Sequence, residues 1–568
     1  MKVSFLFDVP ASPEGKYSIG SFTDAPDFTI HLKGDEFEFM AWGDPIYNDQ
    51  FCKDIIADPN PGFITENLSG HYYFILNDLK TGETQIGSSL FSILPVYYCN
   101  LGRRILVSDN VFEIALHAGL NSPSPGFILE SLLFNYPLSN QSLVEGISLL
   151  DSNSVLVTGT NGFRIVRHTE PGKWFSRNPA SWKDSTGRMT DVFLNETEKY
   201  LPRDHYITAL TGGFDGRTLT AAGLYHNRDF SCYCMGTGLS GDLGIASEVS
   251  SSAGIRFHPV LLDSEYISNR SLDAGKEFII NSSGTGTFSR AHYIHSASVL
   301  GSMTSFVISG NFGSEVLRTA HSPGVMIAPA IYRIFSSATP GEAIEAVRKD
   351  PVLQLINPEI VKRGIGCLEE NIERLPCFDR RYETLDRNMQ FYIFILEETF
   401  RKYFGSEIKA QFGYLALRTP FLDSNFLKEL FSTALAGIHS GYMENNPLRR
   451  YKGQALYASI IRKAAPQLGR YNTDKGYSPE DLLTPAGRFR VIKGYLGKKI
   501  FVKGVPSSDP LAVREAWHVN RNFYESVPLS DSLFNEKKVK RMPDASFGNE
   551  KVRLYSLIYA LNYLLNLK

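Results

Sequence analysis

Cysteine is scarce. Six in 568 residues do not make a disulfide framework. Two of them, in Phe230-Ser231-Cys232-Tyr233-Cys234-Met235, would point to opposite faces of one strand, which is poor metal geometry and suits small core residues. Long apolar runs are missing as well, and none approaches the roughly 20 residues needed to span a bilayer. The start, Met1-Lys2-Val3-Ser4-Phe5-Leu6-Phe7-Asp8, meets a charge too early for a signal peptide and reads as a strand. No charge of one sign is in excess. The net value of −2 indicates neither a nucleic-acid partner nor an anionic membrane surface. The short basic run Glu536-Lys537-Lys538-Val539-Lys540-Arg541 reads as a solvated face. Internal repeats and low-complexity tracts are lacking. These absences leave an ordinary globular chain, 43% apolar and 21% charged, with the cytoplasm as its expected compartment. Its length implies about two to four domains.

Residues 1 to 170 carry short alternating segments split by Gly, Pro and Asn-Asp turns, such as Glu36-Phe37-Glu38-Phe39-Met40-Ala41-Trp42 and His71-Tyr72-Tyr73-Phe74-Ile75-Leu76-Asn77. Period-two alternation between turn signals predicts an antiparallel, sheet-dominated domain. Glu170-Pro171-Gly172-Lys173-Trp174-Phe175-Ser176-Arg177-Asn178-Pro179 reads as a linker, placed at 171–185. From 186 to 568 the pattern becomes strands alternating with helices, the strands near 206–210, 230–235, 257–261 and 305–308. That order predicts a parallel sheet with helices on both faces. The end of the chain, including Arg553-Leu554-Tyr555-Ser556-Leu557-Ile558-Tyr559-Ala560-Leu561, reads as mainly helical.

One stretch of the second half is the most informative: Ala209-Leu210-Thr211-Gly212-Gly213-Phe214-Asp215-Gly216-Arg217-Thr218. An apolar strand precedes it and helical spacing follows it, so backbone N–H groups and a helix dipole would point outward together. The glycines let the backbone approach a ligand, and Asp215 offers a hard oxygen for magnesium. The lysine of a Walker loop and the third glycine of a dinucleotide fingerprint are both missing. A second glycine turn, Ser309-Gly310-Asn311-Phe312-Gly313-Ser314-Glu315, follows the strand Ser305-Phe306-Val307-Ile308. Asp215 and Glu315 would together hold a magnesium ion on a triphosphate. Downstream stand Leu415-Ala416-Leu417-Arg418-Thr419-Pro420-Phe421-Leu422-Asp423, Arg449-Arg450-Tyr451-Lys452 and Asp474-Lys475-Gly476-Tyr477.

The ordered series resembles the synthetase domain of the asparagine synthetase family, which includes β-lactam synthetases and lasso-peptide cyclases. Thr211–Arg217 is similar to that family's pyrophosphate loop, Ser309–Glu315 to its second ATP signature, and Arg418–Asp423 to its Arg-x-Pro-Phe-Leu-Asp segment. Lys475-Gly476-Tyr477 is similar to the stretch that contributes a catalytic lysine. In the first half, Leu68-Ser69-Gly70-His71-Tyr72-Tyr73-Phe74 and Phe91-Ser92-Ile93-Leu94-Pro95-Val96-Tyr97-Tyr98 resemble segments of the glutaminase-like domain. The resemblance implies an α/β chain. An N-terminal Ntn-hydrolase-like β-sandwich with helices is followed by an ATP-pyrophosphatase domain built on a parallel sheet. It also implies ATP and Mg²⁺ as cofactors. Thr211, Gly212, Gly213, Asp215, Gly216, Arg217, Met235, Gly236, Ser309 and Gly310 would contact ATP, and Asp242 stands just after the adenine-pocket strand. Asp215 and Glu315 would bind the metal, and Lys475 would act in catalysis.

The departures narrow the chemistry. The family's glutaminase uses a cysteine at position 2, where this chain has Lys2, and the first cysteine is Cys52. The family's Ala-Arg-Asp, which helps bind glutamine, is replaced by Gly87-Ser88-Ser89. The first half is therefore expected to be a scaffold without glutamine hydrolysis. In the second signature, Asn311 and Phe312 stand where the family has an acid or a tyrosine and cannot serve as base. Glu397 or Glu398, on the helical run before Arg418, is the expected replacement. The expected activity is ATP-dependent amide formation: a small-molecule or peptide carboxylate is adenylated and an amine attacks. Closure within one substrate, giving a lactam or macrolactam, gains from high effective molarity. A second amine or free ammonia, or a non-catalytic nucleotide-binding role, are the alternatives. Substrate contacts are expected around 278–292 and 320–345, and homodimerisation is left open.

Overall fold

The computed structural model describes residues 2–10, 20–102, 104–159, 162–318, 326–441, 451–487, 489–493, 508–542 and 549–567. The first half supplies strands β1 (Leu6–Pro10), β2 (Ser21–Asp24), β3 (Phe28–Lys33), β4 (Phe37–Ile46), β5 (Ser69–Asp78) and β6 (Thr84–Ser88). It continues with β7 (Tyr97–Asn100), β8 (Arg104–Ser108), β9 (Ser148–Leu149), β10 (Ser154–Gly159) and β11 (Gly162–Arg167). These strands form two antiparallel sheets, ordered β2-β1-β8-β7-β9 and β11-β10-β6-β5-β4-β3.

The alternation in β4 and β5 separates two cores, not core from solvent. Met40, Trp42, Tyr73 and Ile75 face the main core, while Phe39, Ala41, Tyr72 and Phe74 face a second core. That second core also takes Phe51, Ile55 and Ile64 from the helices Asp49–Ala57 and Pro61–Asn67. Their N-termini are capped by Asn48 and Asn60, whose side-chain oxygens accept the N–H of Phe51 and Phe63. Between the sheets, Trp42 packs edge-on against Phe5 at 4.9 Å and stacks on Tyr73 at 5.6 Å.

The second half builds one parallel sheet from β12 (Tyr206–Ala209), β13 (Phe230–Gly236), β14 (Phe257–Leu261), β15 (Phe306–Ile308) and β16 (Ala416–Arg418). Its order is β14-β13-β12-β15-β16. Helices Asp215–Tyr225 and Gly241–Ser252 link the first three strands, and Ser271–Asn281 and Ala291–Gly301 lead on to β15. The chain first runs outward from β12 to β14, then returns to the other side of β12. The order reverses between β12 and β15, where an open parallel sheet leaves a crevice at its carboxyl edge.

The stretch read as a linker is packed. Trp174 meets Phe91 at 6.2 Å, Phe175 meets Phe431 at 5.2 Å, and helix Trp182–Glu198 begins within it. Cys232 and Cys234 are buried in β13. Burial pushes the Cys232 thiol up to about 12, as expected of an inert core residue. In Glu536–Lys540 the lysines are exposed and Val539 is buried. Among the described residues, no helix is long and apolar enough to cross a membrane.

Candidate active site

Both glycine turns lie at the strand-order reversal. Thr211–Phe214 leads from β12 into helix Asp215–Tyr225, whose N-terminus has no side-chain cap. Ser309–Phe312 leads from β15 into the short helix Gly313–Leu317. The turns interlock through Asp215. One of its carboxylate oxygens accepts the Ser314 hydroxyl at 2.8 Å, and the other accepts the Tyr457 hydroxyl. A Cβ on Gly310 would stand 2.8 Å from the Asp215 Cβ, and one on Gly216 would stand 2.2 Å from the Ala209 carbonyl oxygen. Glycine is required at both positions by close approach of backbone, not by an unusual φ.

Glu315 is half-buried beside this carboxylate. Burial, then the negative charge of Asp215, push its carboxyl up to about 7, with Arg318 acting in the opposite sense. Two crowded carboxylates at the carboxyl edge of a sheet are the donor chemistry that a hard divalent cation relieves. The residues thus fit a magnesium ion shared with phosphate oxygens. Among the described residues, no group of three or more acidic, histidine or cysteine side chains is placed to hold a metal by itself.

A third segment closes on the first turn. The Asp474 N–H donates to the Gly212 carbonyl at 3.0 Å, and the Lys475 ammonium lies 5.0 Å from the centre of the Phe214 ring. The turn is also held by its neighbours. Gly212 N–H donates to Asp242 at 2.9 Å, and Gly213 N–H donates to the Thr211 hydroxyl at 3.2 Å. Asp242, from the first turn of helix Gly241–Ser252, therefore braces the glycine turn. Met235 and Gly236 end the adjacent strand β13, where the Gly236 carbonyl accepts the Leu262 N–H at 2.9 Å.

Comparison with known proteins adds little. No family model and no curated protein matches the chain. A solved structure of the allosteric regulatory enzyme of purine biosynthesis aligns at 5% identity over 46% of this chain and 75% of its own, with a TM-score of 0.19. Glutamine phosphoribosylpyrophosphate amidotransferase from B. subtilis, complexed with ADP and GMP, aligns at 10% identity over 59% of this chain and 74% of its own, with a TM-score of 0.15. Similarity that low carries no argument about activity.

Three expected site residues stand elsewhere. Arg217 is fully buried and donates to the carbonyls of Tyr471 at 2.5 Å, Asn472 at 3.0 Å and Leu468 at 3.4 Å. It holds the segment that leads to Lys475 and offers no cation to a phosphate. Glu397 pairs with Arg167, and Glu398 pairs with Arg401 at 2.8 Å and Lys402 at 2.5 Å. Both glutamates line a cavity of about 470 Å³ between the two halves, whose lining includes no residue of either glycine turn. The carboxylate that faces the second turn is Glu407. It accepts the Asn311 amide at 3.3 Å and pairs with Arg290. Burial pushes its carboxyl up, and Arg290 pulls it back. Phe312 is buried against Phe400 and Phe404 at 4.7 and 4.8 Å.

Lys2 pairs with Asp24, and its backbone N–H donates to Asp27 at 2.6 Å. Ser88 donates to the Leu94 carbonyl at 2.9 Å, and the Ser89 N–H to the Tyr72 carbonyl at 2.9 Å. These residues serve local structure. Arg449, Arg450 and residues 320–325 of the expected pocket loop lie outside the described residues.

Proposed function

We propose that the chain is an ATP-dependent, AMP-forming ligase, built on the plan of the asparagine synthetases, that activates a carboxylate and joins it to an amine. One observation carries the reading: two glycine turns leave adjacent parallel strands at the reversal of strand order and share Asp215. ATP would lie across that crevice as substrate. Asp215 and Glu315 would hold Mg²⁺, which neutralises charge on the departing pyrophosphate when bound, and Lys475 would add a cation. The N–H groups of Gly212 and Gly213 are engaged by Asp242 and Thr211, so nucleotide binding would exchange those partners. Glu407 takes the place of Glu397 and Glu398 as candidate base for the attacking amine, because it alone of the three contacts the second turn. The sandwich would serve as a scaffold, since Lys2 supplies no thiolate. Closure within one substrate is the preferred form of the joining step, with a separate amine or ammonia as alternatives. A cytoplasmic setting and a carboxylate substrate, small molecule or peptide, go with this reading.

The test begins with titration of Mg·ATP into the full chain, then into Asp215→Ala. Saturable binding weakened at least tenfold in the variant supports the site, and equal affinity overturns it. Pyrophosphate release with ATP and a cell extract, followed by mass analysis for a product lighter by one water, tests the ligase step. Binding without release would favour a non-catalytic nucleotide-binding protein, a reading supported by Asn311 and Phe312 in place of an acid or tyrosine.

A further inference from the structure

Beside Arg290, the partner of Glu407, the chain forms a small cavity of about 50 Å³. Its wall is drawn from distant segments: Thr285, Thr287 and Ser289 on the loop before helix Ala291–Gly301, Arg290 beside them, Lys402 on the helical segment Ile395–Phe404, and Arg553 on helix Asn549–Leu565. Among the described residues, every charged group in that wall is a cation. Two of the three are answered from outside the cavity. Arg290 pairs with Glu407, and Lys402 pairs with Glu398 and donates to the carbonyls of Leu138 at 2.8 Å and Ser139 at 2.9 Å. Arg553 donates to the Leu132 carbonyl at 2.9 Å. The Arg290 Nε is buried with no hydrogen-bond partner among the described residues.

Such a wall holds charge at a cost. Burial pushes Lys402 down to about 8 against the pull of Glu398, and pushes Arg553 down to about 10 against Glu550. Arg290 and Lys402 each have a carboxylate in ion-pair contact, whereas among the described residues Arg553 meets Glu550 only at longer range, so it is the cation of the wall that an anion would best offset. The space suits a few waters, at about 10–15 Å³ each, or one small ion. Arg290 is also fixed in place, since its guanidinium lies 4.3 Å from the centre of the Tyr403 ring. The Thr287 and Ser289 hydroxyls bond to each other at 2.8 Å, which leaves one hydrogen of the pair as a neutral donor.

We propose that this cavity is a binding site for a small oxyanion, a carboxylate or phosphate group, held by Arg290 and Arg553 with a hydroxyl of the Thr287–Ser289 pair, in the field of Lys402, whose own ammonium hydrogens are taken. The shared chemistry is charge-assisted hydrogen bonding to oxygen. The site goes beyond the nucleotide reading and does not depend on it.

Calorimetric titration of the full chain at constant ionic strength, with inorganic phosphate and separately with propionate, tests the site. Saturable binding of at least one anion is expected, weakened tenfold or more in Arg553→Met and in Thr287→Val, and unchanged in Lys475→Ala. The last arm separates this cavity from an anion resting on the first glycine turn. Circular dichroism checks that each variant is folded, and Thr287→Val keeps the test decisive if Arg553→Met is not. Phosphate alone would assign a phosphate site, and propionate alone a carboxylate site. Absence of saturable binding by either, binding that survives in every folded wall variant, or loss in Lys475→Ala would overturn the proposal.

Discussion

Arg418 donates two hydrogen bonds of 2.8 Å to the carboxylate of Asp44, joining the edge strand β16 to strand β4 of the sandwich. The guanidinium also donates to the Tyr200 carbonyl at 3.1 Å and lies 4.3 Å from the centre of the Phe306 ring. Its neighbours continue the seam. The Thr419 hydroxyl meets the His71 ring at 2.9 Å, and buried Asp423 takes Lys199 at 2.6 Å and the Tyr200 hydroxyl at 3.2 Å. The stretch Arg418–Asp423, which resembles the family's Arg-x-Pro-Phe-Leu-Asp segment, is a fastening between the halves.

Asp44→Asn should therefore cost about 3–5 kcal/mol, because it strands a largely buried guanidinium, whereas Asp44→Leu with Arg418→Met should cost less than either single change. Chemical denaturation of the three variants measures this. A double-variant cost equal to the sum of the two single costs would show that the pair is not coupled.

Acid should loosen the fold through its buried histidines. Burial pushes His71, His168 and His292 down to about 4. Their unfolded forms take up protons near 6.5. The unfolded state thus binds more protons between these values, so stability is full above about 6.5 and falls as pH drops toward 4. Each histidine contributes about 3 kcal/mol to that fall. Denaturant midpoints across this window should flatten in His71→Gln, and an unchanged slope would count against the assignment.

Gly313→Ala should destabilise the chain by about 1–3 kcal/mol through overpacking. Its Cβ would stand 2.6 Å from an Asp215 oxygen, 2.8 Å from the Tyr457 hydroxyl and 2.9 Å from Phe421. Gly341, with nothing within 4 Å of a Cβ, is the control: alanine there should be tolerated. Thermal unfolding of both variants gives the comparison.

Arg217→Met should release the Tyr471 and Asn472 carbonyls at a cost of about 3 kcal/mol. Hydrogen exchange should rise over 471–477 and leave β12 protected. Arg217→Lys should rescue little, since one ammonium cannot reproduce the planar fork. Exchange unchanged at 471–477 would show that the segment is held by other contacts.

Much of this fold was legible from residue pattern. Four parallel strands were predicted within a residue or so at either end, because each is a short apolar run ending at a turn. The fifth, β16, was not read as a strand, since it spans three residues and its pairing with β15 is settled only in three dimensions. The two glycine turns were found, yet their interlock was not, because nothing local says that β12 and β15 are neighbours. Glu397 and Glu398 were expected only from their place on the helical run before Arg418, and Glu407 was not singled out. The helix between them is π-wound over Ile395–Phe404, so faces counted at 3.6 residues per turn drift out of register. Arg217 was read as facing phosphate or solvent, since its true acceptors are carbonyls more than two hundred positions away.

The buried pairs across the seam also bear on how the chain can be altered. Arg418 with Asp44 and Lys409 with Asp109 each draw one charge from either half. A graft of one half from another sequence must therefore bring matching countercharges, or it leaves an ion in an apolar wall. The halves form a lock with two keys, and a chimera made at the 171–185 crossing would fail at this seam even if the chain itself joined smoothly there.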